Sequence, residues 1–307
     1  MKMTTTGFIG LGIMGDGMVR RMITQVISPS SSPQKLVVWN RSVAKSEALK
    51  AEFPDVDIEI AESAKACVAA SGAVFSMLST PEASAAVFPG VLEGVHSNTM
   101  LVDCATLQVS DMVNMNAQVV AKGGKFMEAP VSGSKGPAAG GSLVFLCGSN
   151  DESIFNDAWV KSCLAAMGKA SHFLGEVGNG TKAKLVVNSV MGTMLAAFSE
   201  GINLAESCGL SGEKMVEVFG QGACAAPMYA LKGPKITKKP EADHAPNFPL
   251  KHAWKDMRFA CALAKEQNVD YSINDMAEKV RFAAILCPAL CEIFLPLHCF
   301  VSTESCL

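Results

Sequence analysis

The chain has 307 residues, of which 49% are hydrophobic and 18% charged, and its 26 basic against 29 acidic side chains leave a formal net charge of -3. That balance excludes a disordered tail, which needs low hydrophobicity, and a general nucleic-acid binder, which needs a strongly basic surface. At about 100–200 residues per domain the length fits two domains, each able to bury its own core.

The N-terminal Met1-Lys2-Met3-Thr4-Thr5-Thr6 runs into a strand-like segment with no apolar leader region. The eleven cysteines are spread from Cys67 to Cys306 through apolar stretches without C-x-x-C pairs, which reads as reduced packing cysteines. A cytoplasmic protein is expected from both features. The first half alternates short β-branched runs with helix-period segments, the pattern of an α/β doubly wound domain. Strands are expected at Gly7–Gly10, Lys35–Asn40, Val56–Ile60, Ala73–Leu78 and Met100–Cys104, with helices including Ala61–Ser71 and Val109–Ala121 between them. Later strands near Lys125–Glu128, Ser142–Cys147 and Ser171–Leu174 are expected to extend the same sheet, and Ser28–Pro33 reads as a surface turn. Beyond Gly175-Glu176-Val177-Gly178-Asn179-Gly180 the composition changes. From Thr181 to Cys208 no proline interrupts the helical spacing and Gly209 is placed to end the helix. At 1.5 Å per residue that helix is about 42 Å long, enough to tie two domains together. The chain beyond Gly209 lacks convincing strands, so a Rossmann-type dinucleotide domain is expected at 1–175, an all-helical domain at 176–284 and a tail at 285–307. The apolar run Ala283–Val301 is broken by Pro288, Glu292, Pro296 and His298, and is not read as a membrane span.

The first chemical signal is Gly10-Leu11-Gly12-Ile13-Met14-Gly15, a G-x-G-x-x-G between a strand and a helix. Its glycines suit a tight turn, backbone approach to a pyrophosphate and close helix–strand packing, with the helix N-terminus facing the phosphates. The second strand then ends in Asn40-Arg41-Ser42 with no acid to meet a ribose 2′-hydroxyl, so Arg41, helped by Ser42 and Lys45, suits the 2′-phosphate of NADP, unless it is a plain surface arginine. Leu78, at the end of the fourth expected strand, joins the cofactor-binding set. Glu128-Ala129-Pro130-Val131-Ser132-Gly133-Ser134-Lys135 is rich in small residues that leave amides exposed, which suits an anion or simply a structural turn. Lys184 and Asn188 lie four apart on one face of the long helix. Lys184 is either on a solvated face or, if partly buried before Leu185-Val186-Val187, tuned toward proton transfer. The histidines form no metal-ligand spacing, and no metal is expected.

Taken in order, these segments resemble the β-hydroxyacid dehydrogenase family from Gly7 to about Ala284. The matching motifs are Gly7 to Gly15, Asp103-Cys104-Ala105-Thr106, Ala129-Pro130-Val131-Ser132-Gly133-Ser134, Gly180 with Lys184 and Asn188, and Phe248-Pro249-Leu250-Lys251 leading into Lys255-Asp256. Within the family the chain looks most like plant-type glyoxylate/succinic semialdehyde reductases. The resemblance implies that Thr106 and Lys255 contact the cofactor, that Ser132 and Gly133 hold a substrate carboxylate, that Lys184 is the proton donor and that Asn188 orients substrate or lysine. Phe248 and Asp256 would border the pocket. It implies an NADPH-dependent reductase of small aldehyde acids, working as a homo-oligomer without nucleic acid or membrane. A 3-hydroxyisobutyrate-type dehydrogenase and a non-catalytic scaffold of the same fold are the alternatives; Asn40-Arg41 argues against the first and Lys184 against the second. Two departures stand out: Ala105 replaces a usual serine, and Ile285–Leu307 replaces the family's closing segment with a tail bearing Cys287, Cys291, Cys299 and Cys306.

Overall fold

Parallel strands covered on both faces must be apolar on both, and the first half of the chain meets that condition. The computed structural model describes residues 5–30, 34–237 and 249–286, with side chains to 279. Phe248 and the tail cysteines lie outside the described residues. The chain divides into two compact units, Met1–Lys184 and Leu185–Leu307.

In the first unit, β1 (Thr5–Ile9), β2 (Lys35–Trp39), β3 (Ile58–Ile60), β4 (Ala73–Ser76), β5 (Met100–Asp103) and β6 (Lys125–Glu128) form a parallel six-stranded sheet in the order β3-β2-β1-β4-β5-β6. Its register lays Val38, Phe8, Phe75, Val102 and Met127 in one row, and all five enter one apolar core. Val37, Val74, Leu101 and Phe126, one residue out of phase, enter the core on the other face. The strand order reverses between β1 and β4, and the crevice beyond their C-terminal ends is where such sheets bind ligands.

The expectation that Ser142–Cys147 and Ser171–Leu174 extend this sheet is corrected. A separate three-stranded sheet forms from β7 (Val131–Ser132), β8 (Leu143–Cys147) and β9 (Gly168–Phe173), with β7 antiparallel and β9 parallel to β8. Ala129-Pro130 turns the chain out of the first sheet, and the end of β6 joins the residue after β8 through an isolated bridge between Glu128 and Gly148. The Leu146 amide instead donates to the Pro130 carbonyl at 3.0 Å.

The long helix spans Asn179–Ser207. It ends as its glycine foretold: Gly209 has φ +79°, its amide donates to Glu206 O, and the Leu210 amide donates to Ala205 O, a Schellman motif. The described remainder of the second unit is helical, at Gly212–Gln221, Pro227–Ile236, Leu250–Glu266 and Ser272–Leu286. Phe198 stacks on Tyr229 with ring centroids 4.2 Å apart and meets Phe219 edge-on, forming its aromatic core with Ile202 and Ile236.

Candidate active site

The turn after β1 shows a distinct reason for each glycine. Gly10 has φ +96°, a conformation L side chains rarely adopt, and a Cβ there would lie 2.4 Å from the Met77 carbonyl oxygen. At Gly15 a Cβ would lie 1.9 Å from the Gly10 carbonyl oxygen, so the helix Gly15–Met22 starts flush against the turn. A Cβ on Gly12 would meet no atom within 4 Å. No side chain caps the first amides of this helix, and Asp16, the acid in its first turn, is paired with Arg20 at 2.9 Å. A helix start without a side-chain cap, with open space beside Gly12, fits the pyrophosphate of a dinucleotide.

Around this turn, Ile13 is exposed and Met14 half-buried, and Leu78 reaches to 3.1 Å from where a Gly10 Cβ would be. Asn40 is engaged with the chain's own backbone. Its Oδ1 accepts from the Leu11 amide at 2.9 Å and its Nδ2 donates to the Ser42 carbonyl at 2.9 Å, lacing the first and second strand ends together. Arg41 and Ser42 beside it are exposed.

At the end of β5, Asp103 is buried and its Oδ1 accepts from the Ala105 amide at 3.0 Å, which sets the backbone leading into the half-buried Thr106. Burial pushes the Asp103 carboxyl up to about 6, against the pull of the Ala105 amide and the Ser76 hydroxyl. Ser132 closes β7 opposite Val144 and is half-buried, while Gly133 is exposed at φ +139°, with a Cβ position 2.7 Å from Leu143 Cδ2. The next short helix, Lys135–Ala139, packs on the cofactor-turn helix at Gly17, where a Cβ would lie 2.8 Å from the Ala139 amide nitrogen.

Glu128, which the sequence reading names only as the first residue of the small-residue segment and gives no role, is fully buried at the end of β6. It accepts from the Gly178 and Gly180 amides at 2.6 and 2.8 Å and from the Thr181 hydroxyl at 2.5 Å, all at the start of the long helix. Lys184 stands on the same helix within the first unit and is only 6% exposed, so the solvated-face alternative is removed. In the second unit, Asn188 donates from Nδ2 to Asp256 Oδ2 at 2.7 Å, and both residues are buried. Lys255 Nζ lies 3.2 Å from Asp256 Oδ1 and 5.4 Å above the Phe259 ring. Among the described residues no group of three His, Cys, Asp or Glu side chains is placed to hold a metal ion.

Comparison with known proteins adds three kinds of likeness. Residues 5–178 match the family model for the NAD binding domain of 6-phosphogluconate dehydrogenase, and residues 178–285 match that for the NAD-binding domain of NADP-dependent 3-hydroxyisobutyrate dehydrogenase. Glyoxylate/succinic semialdehyde reductase 1 of Arabidopsis thaliana is 37% identical over 282 residues, covering 90% of this chain and 92% of that protein. The chloroplastic reductase 2 of the same plant is 39% identical over 262 residues, covering 84% of this chain and 68% of that protein. In fold, the 3-hydroxyisobutyrate dehydrogenase of Mycobacterium tuberculosis with L-serine superposes at a TM-score of 0.79 and 24% identity, over 95% of this chain and 96% of that one.

Proposed function

This chain belongs to the β-hydroxyacid dehydrogenase family of NAD(P)-binding oxidoreductases, and from that premise we propose that it is an NADPH-dependent reductase of small aldehyde acids, taking glyoxylate to glycolate and succinic semialdehyde to 4-hydroxybutyrate. The observation that carries the reading is the likeness, over nine-tenths of the chain, to a reductase named for those two substrates. Bound NADPH supplies the hydride. Ser132 and the amides about Gly133 hold the substrate carboxylate, and their position in a small-residue loop leaves the donors accessible. Lys184 meets the carbonyl oxygen as charge develops there and gives it a proton. Its near-complete burial limits competition from water, and a positioned general acid contributes about 10²–10⁴ in rate. Asn188 is held in its own place by Asp256 within the second unit. Arg41, exposed just past β2 where an acid would select NAD, pairs with the 2′-phosphate, and Thr106 adds a further cofactor contact within the first unit.

A substrate panel run with NADPH and with NADH, following the loss of nicotinamide absorbance, tests this. The expected result is turnover of at least one of the two aldehyde acids with NADPH preferred by about tenfold or more, and loss of that preference in Arg41→Asp. Oxidation of 3-hydroxyisobutyrate with NAD, without reduction of either aldehyde acid, would overturn the substrate reading.

A further inference from the structure

The strand that leads to Ser132 and the helix that carries Lys184 are tied together by one side chain. Glu128 closes β6, four residues before Ser132, and its carboxylate takes three donors from the helix start, three to six residues before Lys184. The fit around it is tight. A Cβ on Gly148 would lie 2.6 Å from Glu128 Oε1, and one on Gly180 would lie 3.1 Å from Oε1 and 2.3 Å from the Leu146 carbonyl oxygen. The backbone of Glu128 is fixed as well, exchanging two hydrogen bonds of 2.9 Å with Gly148.

The first turn of a helix has amides without intrahelical partners and opens before the rest. A buried carboxylate that accepts those amides, and complements the positive end of the helix, holds that turn through charge-assisted bonds. We propose that Glu128 is a positioning residue for the proton transfer: by clamping the first turn of Asn179–Ser207 to the end of β6, it sets the place of Lys184 relative to the Ser132–Gly133 loop. This rests on the reading of Lys184 as proton donor. The clamp accounts for the hydroxyl of the fully buried Thr181 and, together with the nearby Glu176 and Leu146 carbonyls, for glycine at 148 and 180.

The test compares the wild-type chain with Glu128→Gln, which keeps the shape and removes the charge and one acceptor, and with Thr181→Val, which removes one donor and serves if the first variant does not fold. Three readouts are taken: hydrogen exchange across residues 178–184, acylation of Lys184 by an amine reagent with peptide mapping, and kcat, KM and NADPH affinity. Loss of bonds to a charged acceptor should speed exchange at the helix start by about tenfold or more and open Lys184 to the reagent. It should lower kcat by about tenfold or more while KM and NADPH affinity change little, because a misplaced donor acts on the transition state. Thr181→Val should move the same readouts in the same direction by less. Unchanged exchange and a still-protected Lys184 would overturn the clamp. A loosened helix start with wild-type kcat would overturn the positioning role, and Lys184→Ala run alongside separates this from failure of the donor reading, since only that failure leaves Lys184→Ala active.

Discussion

Two junctions in the first unit are built alike and used differently. Each runs from a strand through a glycine with left-handed φ into a helix: β1 through Gly10 (φ +96°) into Gly15–Met22, and β9 through Gly175 and Gly178 (φ +85° and +104°) into Asn179–Ser207. At the first, no side chain caps the helix and a Cβ on Gly12 would touch nothing, which leaves room there for an anion brought from solution. At the second, the donors of Gly178, Gly180 and Thr181 are taken by the chain's own Glu128. The difference lies in the neighbouring strand. Beside Gly10 the chain past the end of β4 presents Met77 and Leu78, whereas beside the second junction β6 ends in a buried acid. The same local device is thus a ligand cradle where it is left open and a structural clamp where it is filled.

The largest effect expected from this division is on Lys184, which rides on the filled junction. Lys184→Ala should lower turnover by about 10²–10⁴. NADPH affinity, which belongs to the open junction, should stay near the wild-type value in a fluorescence titration. A comparable loss of NADPH binding would break the division of labour.

The filled end of the sheet also carries a second buried acid, since Asp103 pairs in register with Glu128 across β5 and β6. Burial raises its folded pKa to about 6 from 3.8. Between those values the folded chain holds a proton that the unfolded chain has lost, so this contribution to stability falls as pH rises through the window and is constant above and below it. The gap amounts to about 3 kcal/mol. Asp103→Asn has no such proton and can still accept from the Ala105 amide. Its stability relative to wild type should therefore climb by about 3 kcal/mol between about pH 4 and pH 7, measured by urea unfolding across that range. A difference that stays flat with pH would show that Asp103 titrates in the fold as it does in the open chain.

What is legible in the sequence depends on the range of the interaction. The cofactor turn is legible because its three glycines and two flanking elements lie within about one turn of strand and helix. The doubly wound sheet is legible because strands buried on both faces leave apolar runs such as Val37-Val38 and Ala73-Val74-Phe75. The second sheet is not, because Pro130 redirects the chain without changing the β-like composition of Leu143–Cys147. Glu128 escapes notice for a similar reason: its partners lie 50 to 53 residues on, and no local pattern marks an acid as buried. The pairing of Asn188 with Asp256, 68 residues apart, is equally out of reach, although family resemblance singles out each residue. Gly178-Asn179-Gly180-Thr181 is the available hint. Glycines that close to a helix start signal a close approach, without naming what approaches.

The comparison is sharpest in a crossed pair of small substitutions. Gly12→Ala places a methyl where the chain has no atom within 4 Å, and Gly12 shows no positive φ, so stability should hold while the methyl obstructs the pyrophosphate and weakens NADPH binding. Gly180→Ala should do the opposite. Inside a helix alanine is favoured over glycine by about 1 kcal/mol, but here its methyl would sit 2.3 Å from the Leu146 carbonyl oxygen and 3.1 Å from Glu128 Oε1. Both neighbours are pinned, the first in β8 and the second by three hydrogen bonds, so relief must come from shifting the helix start, at a net cost of about 1–3 kcal/mol. Thermal unfolding and NADPH titration of both variants give four numbers. The contrast between an open and a filled junction stands if the melting temperature drops only for Gly180→Ala and the affinity only for Gly12→Ala, and it fails if either variant loses both.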